Sequence, residues 1–202
     1  LSHVACPSDK IRVIHDCVSS EFQPVDTSFN RDCPRILFVG TSPNKNLERT
    51  AEAITGIECR LVIVGRLSSE QREKLEAHHV AFESLVNLAD EELRREYERC
   101  DLLVFPSTYE GFGLPIVEAQ AVGKPVVTSN LSSMPEVAGA GACLVDSWST
   151  ESIRKGVLRV IRDDSYRNQL VAEGFRNVQR FQPEAVANEY AKLYREMVAN
   201  RT

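Results

Sequence analysis

Short runs of consecutive apolar residues, separated by amphipathic stretches, dominate the chain from Arg35 onward. Ile36-Leu37-Phe38-Val39, bounded by Pro34 and Gly40, predicts a first strand, and residues 46–54, with Leu47, Ala51 and Ile54 on one face, predict a helix. Leu61-Val62-Ile63-Val64, closed by Gly65, predicts the second strand, and residues 69–78, carrying Leu75, a second helix. Val80-Ala81-Phe82 is a weaker third strand, followed by an acidic helix over 90–99 whose Leu93 and Tyr97 stand one turn apart. Leu102-Leu103-Val104-Phe105, Val126-Val127-Thr128 and Cys143-Leu144-Val145 complete a set of six strands. Beyond Val145 the pattern is helical only: 150–162, a segment reaching Phe181, and 183–198. Pro183 suits a first helical turn because its absent N–H would be unpaired there.

Strands that are apolar throughout, without polar alternation, belong in a parallel sheet covered on both faces, with the intervening helices as crossovers. The fold class is therefore α/β, a Rossmann-like doubly wound parallel sheet of six strands with C-terminal helices. A length of 202 residues fits one domain and is too short for a two-lobed enzyme. Hydrophobic residues at 43% and charged residues at 26% exclude a disordered tail and a membrane protein. The net charge of −5 argues against a basic nucleic-acid surface, so no nucleic acid is expected as a partner.

The six cysteines stand singly, with no C-x-x-C pair and no histidine at metal-ligand spacing, and read as reduced thiols of a cytoplasmic protein. Cys59 and Cys100, beside strand runs, read as small buried hydrophobes. No apolar run approaches the ~18–20 residues needed to span a bilayer, and no secretory signal opens the chain. The start at Leu1 and the Pro- and Cys-bearing stretch before the first strand read as a fragment lacking its N-terminal part.

The most informative stretch is Phe105-Pro106-Ser107-Thr108-Tyr109-Glu110-Gly111-Phe112-Gly113-Leu114-Pro115-Ile116-Val117-Glu118-Ala119. It runs from the end of a strand through a glycine turn into a helix, where open α/β sheets bind their ligands. Gly111 and Gly113 allow positive φ and close backbone approach, and Pro115 pre-sets the first helical turn. The unpaired N–H groups of that turn point at any anion above them, so a phosphate is the natural occupant. A dinucleotide site would read G-x-G-x-x-G, with an acidic residue about 20 positions on. Here Ile116 stands in the last glycine position and Thr128-Ser129-Asn130 where the acid belongs, which argues against NAD or FAD.

Glu118, one turn past Leu114, lies toward the loop and forms an E-x7-E pair with Glu110. Carboxylates are good acceptors for the vicinal hydroxyls of ribose and hexose, which suggests a nucleotide sugar. The spacing alone also admits a plain glycine turn with two surface glutamates, one of them meeting the helix dipole.

E-G-F-G-L-P-x-x-E-A at 110–119, G-K-P-V-V at 123–127 and M-P-E-V-A-G at 134–139 occur in register. On these motifs the chain, over residues 10–197, resembles the donor-binding C-terminal domain of a retaining GT-B glycosyltransferase of family 4, the glycosyl transferases group 1. The resemblance implies that Glu110 contacts the transferred sugar and Glu118 holds the ribose. It places Gly111 and Phe112 in the donor loop and gives the sugar and diphosphate the backbone amides of Gly113, Leu114 and Ile116. A second phosphate contact is implied in Gly40-Thr41-Ser42-Pro43-Asn44-Lys45-Asn46, where Lys45 matches the family lysine and would neutralise charge on the leaving diphosphate. Thr41 replaces the family arginine, and Arg66, just past Gly65 at the same sheet edge, is the candidate substitute.

Lys45 and Glu110 are thus the expected catalytic pair, with a UDP-, GDP- or ADP-linked sugar as donor. No cofactor and no metal are expected, since Lys45 and the helix amides take the role of a cation. Retention would proceed on one face with the leaving phosphate assisting, Glu110 not acting as nucleophile. The chain departs from the family at His15-Asp16-Cys17, where a P-N-G turn is usual, and in the base-binding loop around 85–87.

The implied organisation is a linker and extension over 1–34, a nucleotide-sugar-binding domain over 35–182, and a helix over 183–202 that returns to an N-terminal acceptor-binding domain outside this chain. That outer domain would carry the acceptor contacts, the catalytic-site histidine of the family and any peripheral membrane association, so this chain alone is expected to be inactive. Tyr190, Leu193, Tyr194 and Met197 form an apolar stripe expected to fold onto this domain, to swap, or to self-associate. Surface-polysaccharide or glycolipid assembly by mannosyl or related transfer is the implied setting. Two other readings stay open: a GT-B nucleotide-sugar epimerase or hydrolase, which would turn over donor without acceptor, and a non-catalytic nucleotide-sugar-binding module. Ser133 and Glu136 have capping-box spacing, and His78-His79 read as surface residues.

Overall fold

The apolar runs form β1 (Arg35–Val39), β2 (Arg60–Val64), β3 (Phe82–Leu85), β4 (Leu102–Phe105), β5 (Val126–Ser129) and β6 (Ala142–Val145) in a computed structural model. It describes residue 7, residues 10–26 and residues 28–199. All neighbouring strands are parallel, in the order β3-β2-β1-β4-β5-β6. The helices between them are α1 (Leu47–Ile54), α2 (Ser69–Ala77), α3 (Asp90–Arg99), α4 (Leu114–Ala121) and α5 (Met134–Ala138); α6 (Thr150–Arg162), α7 (Asp164–Val178) and α8 (Pro183–Ala199) follow. The fold is the expected doubly wound, Rossmann-like α/β sheet.

Alternate residues of each central strand feed two separate cores, which is why the strands carry no polar alternation. Ile36, Phe38, Leu61 and Ile63 pack against Ala51 and Ile54 of α1, Leu75 of α2 and Val157 of α6. Leu37, Val62, Leu103 and Phe105 face the other way, onto Tyr97 of α3, Ile116 and Val117 of α4 and Val137 of α5. Each such side chain, removed from water, contributes about 1.5–3 kcal/mol of transfer free energy before the cost of ordering it. Residues ahead of β1 add to the second layer. Val18 is buried and its amide bonds the Phe181 carbonyl at 2.8 Å, and Phe22 meets the Tyr97 ring edge-on at 5.5 Å.

Strand order reverses between β1 and β4, because the chain crosses to the other face of the sheet after β3. The loops following β1 and β4 therefore diverge, leaving a crevice at the carboxyl edge of the sheet.

The third strand is displaced from its expected place at Val80-Ala81-Phe82. Val80 instead closes α2: its amide bonds the Leu75 carbonyl at 3.0 Å, beside His79 in the left-handed region at φ 52°. The strand itself, Phe82-Glu83-Ser84-Leu85, is a half-buried edge that alternates sides, and Glu83 is held by Arg35 of β1. Of the histidine pair, His79 is exposed, while His78 is half-buried and its Nδ1 lies 3.2 Å from Thr55 Oγ1.

Cys59 and Cys100 are buried as expected, and burial pushes their thiols up to about 11 and about 12. Cys6 lies outside the described residues. The stripe on α8 does not fold back onto the domain: Tyr194 is 61% and Met197 50% exposed, and no residue of this helix is buried. Among the described residues, no helix is long and apolar enough to cross a membrane.

Candidate functional site

Three consecutive residues, Asn44-Lys45-Asn46, cross the crevice between the loop after β1 and the loop after β4. Pro43–Lys45 make a 3-10 turn, and Asn46 leaves it at φ 68°, a left-handed conformation that asparagine tolerates better than most residues. That turn directs the Asn46 side chain inward, where Nδ2 donates to the carbonyls of Ser147 (2.7 Å) and Pro106 (3.2 Å). Asn44 Nδ2 donates to the Tyr109 carbonyl at 2.9 Å, while the Asn44 carbonyl accepts the Thr108 amide at 2.8 Å. Lys45 Nζ donates to Glu110 Oε1 at 2.7 Å, with side chains only 17% and 14% exposed. The ammonium also lies 4.6 Å from the centroid of the Phe105 ring.

Gly40 makes this path possible. It sits at φ 93°, a conformation that residues with a side chain rarely adopt, and a Cβ placed there would fall 2.8 Å from Lys45 Cε, so a substitution would also push the lysine stem aside. Thr41 and Arg66 are adjacent at the same edge: Thr41 Oγ1 donates to the Arg66 carbonyl at 2.9 Å, and the Arg66 side chain is exposed.

The glycine turn behaves as its composition predicts. Gly113 caps α4 at φ 111°, with Pro115 in the first turn. Leu114, at the first helical position, has no carbonyl within its own helix for its amide. The Ile116 amide, expected among the ligand donors, is already bonded to the Gly113 carbonyl at 3.0 Å, because the helix closes its first turn there. The amides that remain at the open end are those of Gly113 and Leu114. Gly111 is exposed and Phe112 half-buried, packed toward the second core.

Glu118 is turned into the protein rather than displayed on the surface. Its Oε2 accepts the Tyr97 hydroxyl of α3 at 2.6 Å. Burial raises its carboxyl above the ordinary 4.5, and the Tyr97 bond opposes that shift by stabilising the ionised form. Tyr97 itself is fully buried, and burial and the facing carboxylate hold its hydroxyl well above 10.

The expected capping box at Ser133 is not formed. Ser133 adopts a helical backbone at φ −79° and its side chain makes no cap. Its hydroxyl donates instead to the carbonyls of Phe112 (2.6 Å) and Glu110 (3.1 Å), and Ser132 Oγ donates to the Glu110 carbonyl at 2.8 Å. Glu136 points away from its expected role and accepts from His15 Nε2 at 2.9 Å. Two serines thus hold the glycine turn from below. Sequence reasoning missed Asn44, Asn46, Tyr97 and Ser132; the N-K-N run after Pro43 was the one available signal, since asparagines flanking a lysine before a helix suit a left-handed turn.

Among the described residues, no group of three or more His, Cys, Asp or Glu side chains is gathered in a way that could hold a metal ion. The site offers an ammonium paired with a carboxylate beside a helix N-terminus, and a second, inward-turned carboxylate on the same helix, a set suited to an anion flanked by hydroxyls.

The profile of the family described as "Glycosyl transferases group 1" matches residues 19–177. Among curated proteins, the O-antigen chain mannosyltransferase B of Escherichia coli is 38% identical over 106 residues, covering 52% of this chain and 28% of that protein. The chain spans between 24% and 55% of the length of the first five curated relatives it matches. Among solved structures, sucrose-phosphate synthase from Thermosynechococcus elongatus superposes with a TM-score of 0.80 at 24% identity, covering 94% of this chain and 53% of that one. Anabaena Alr3699/HepE, in complex with UDP and glucose, superposes at 0.67 with 21% identity, over 82% of this chain and 49% of that one. At these identities the structures establish likeness of fold.

Proposed function

The chain belongs to the group 1 glycosyl transferases, with the Rossmann-like fold of the C-terminal half of a GT-B enzyme, and on that premise we propose that it binds the nucleotide-sugar donor of a retaining hexosyl transfer. The acceptor and its binding domain lie outside these residues. The observation that carries the reading is the Lys45–Glu110 pair at 2.7 Å, drawn across the crevice beside the open first turn of α4. An ammonium and two free amides suit a diphosphate, and the carboxylate beside them suits a sugar hydroxyl.

In this reading the diphosphate takes Lys45 from Glu110, and Glu110 turns to the hydroxyls of the hexose. As the glycosidic bond breaks, negative charge grows on the diphosphate oxygens, which Lys45 and the amides of Gly113 and Leu114 would stabilise. Glu118, fixed by Tyr97, accepts the ribose hydroxyls. Retention, the family 4 assignment, the absence of a metal requirement and the return of 183–202 to an N-terminal domain are parts of the same proposal. Mannose is the favoured sugar, because the curated relative named above is O-antigen chain mannosyltransferase B.

Calorimetric titration of the chain with UDP, GDP and ADP tests the proposal. One nucleoside diphosphate should bind saturably without added metal, and no binding by any of the three would overturn it. Arg66 is proposed to replace the arginine lost at Thr41. Arg66→Ala should weaken the preferred nucleotide about fivefold, in line with a partly solvated charge contact. An unchanged dissociation constant, in a protein whose Lys45→Ala variant no longer binds, would remove Arg66 from the site.

A further inference from the structure

His15 stands in the segment ahead of β1, yet its ring is built into the underside of the glycine turn. Nε2 is 2.9 Å from Glu136 Oε1, and because a carboxylate can only accept, the imidazole donates. The ring centroid lies 5.9 Å from that of Phe112 in the turn and 5.5 Å from that of Phe181 in the 3-10 turn after α7, and the two phenylalanines meet edge-on at 5.6 Å. Three rings therefore close a triangle whose corners come from three distant parts of the chain. Glu136 belongs to the same short helix whose N-cap, Ser133, holds the carbonyls of Glu110 and Phe112. Other charged groups at this place are Asp16, which lines the adjoining cavity of about 340 Å³ together with Gly111, and Arg180, whose guanidinium bonds the Glu136 carbonyl at 3.3 Å and lies over Phe181.

We propose that His15 is a positioning residue that fixes the donor turn at 110–114 by bracing Phe112 and tethering itself to α5 through Glu136. The function of the turn as a donor site is the reading argued above, and the bracing adds to it. The mechanical consequence follows from the connectivity: α5 grips the backbone of the turn with Ser133 and its side with Glu136 and His15, so movement of the segment at 10–18 is transmitted to Phe112. A proline at this place could not make the bond to Glu136, because it has no side-chain donor.

Hydrogen exchange of the unliganded chain reads the turn directly. His15→Ala should speed exchange of the Ile116 amide, which is bonded to the Gly113 carbonyl of the turn, at least threefold while leaving the strands unchanged. His15→Gln, whose amide still donates to Glu136, should recover part of the protection. Glu136→Ala should reproduce His15→Ala, and the double variant should be no worse than either single one. In titration, His15→Ala should weaken the preferred nucleoside diphosphate about fivefold. Unchanged exchange of the Ile116 amide in His15→Ala would overturn the proposal, as would additive effects of the two alanine variants. Because exchange needs no ligand, failure of the donor reading, seen as wild-type protein that binds no nucleotide, is distinguishable from failure of the brace.

Discussion

Lys45→Ala should lower nucleoside-diphosphate affinity on the order of 100-fold, as measured by titration of the folded variant. Charge-assisted hydrogen bonds contribute about 1.5–3 kcal/mol, and about 1.4 kcal/mol corresponds to each tenfold in the dissociation constant. Lys45 donates to an anion site where the pair is only 17% and 14% exposed, so solvent replaces little of what is lost. The fold should survive, because Glu110 keeps Asn44 as a donor at 3.3 Å and Lys45 is not part of either core. Loss of roughly 1 kcal/mol from leaving that carboxylate less satisfied corresponds to a fall of about 3 °C in melting temperature. Binding within twofold of wild type would show that the diphosphate is held elsewhere, and the Lys45–Glu110 pair would then be a structural tie between two loops.

Glu118→Gln should separate binding from stability, and in opposite directions. The ribose loses an ionised acceptor, so affinity should fall about tenfold. Stability should hold or rise, because the amide oxygen still accepts from Tyr97 while a half-buried charge is removed. The sign follows from the raised carboxyl. The folded protein holds its proton more tightly than the unfolded chain, so the wild type is relatively favoured below the ordinary 4.5. That advantage is lost as pH climbs through the raised folded value. Thermal melts of wild type and Glu118→Gln should therefore coincide near pH 4 and diverge by pH 8, with the variant the more stable. Glu118→Ala gives the contrasting result: Tyr97, fully buried, is left without its acceptor, and the protein should lose about 1–3 kcal/mol at either pH. A Gln variant that melts below wild type at pH 8 would mean the carboxylate is better solvated than its burial implies.

Most of the sheet was legible because buried parallel strands must be apolar on both sides, and five of the six runs form where the pattern puts them. The exception, Val80-Ala81-Phe82, shows the limit of that rule. An edge strand is half exposed and alternates, so its signal is weak, while a valine just past a helix can serve the helix end instead. Glu110, Gly113 and Glu118 stand out in the sequence because a glycine turn after a strand is a local feature with few uses, and Lys45 stands out only through its match to the family lysine. Ile116 was assigned an amide contact that its own helix consumes, since spacing does not reveal which first-turn amides are already bonded. Ser133 was assigned a cap by spacing alone. The carbonyls of Glu110 and Phe112, more than twenty residues away in sequence, were the better acceptors.

What the sequence determined by itself is the alternation of strand and helix, the glycine turn and the identity of the charged groups around it, because each depends on neighbours within one or two turns of chain. Only the tertiary structure decided which of those groups meet. Lys45 reaches Glu110 across the reversal of strand order between β1 and β4, Tyr97 reaches Glu118 from another helix, and His15 reaches Phe112 from a segment nearly a hundred residues earlier. Each of these contacts bridges elements that approach only after the sheet has assembled, so no local spacing encodes it. The crevice is a property of the topology, and its chemistry comes from residues that the fold brings there.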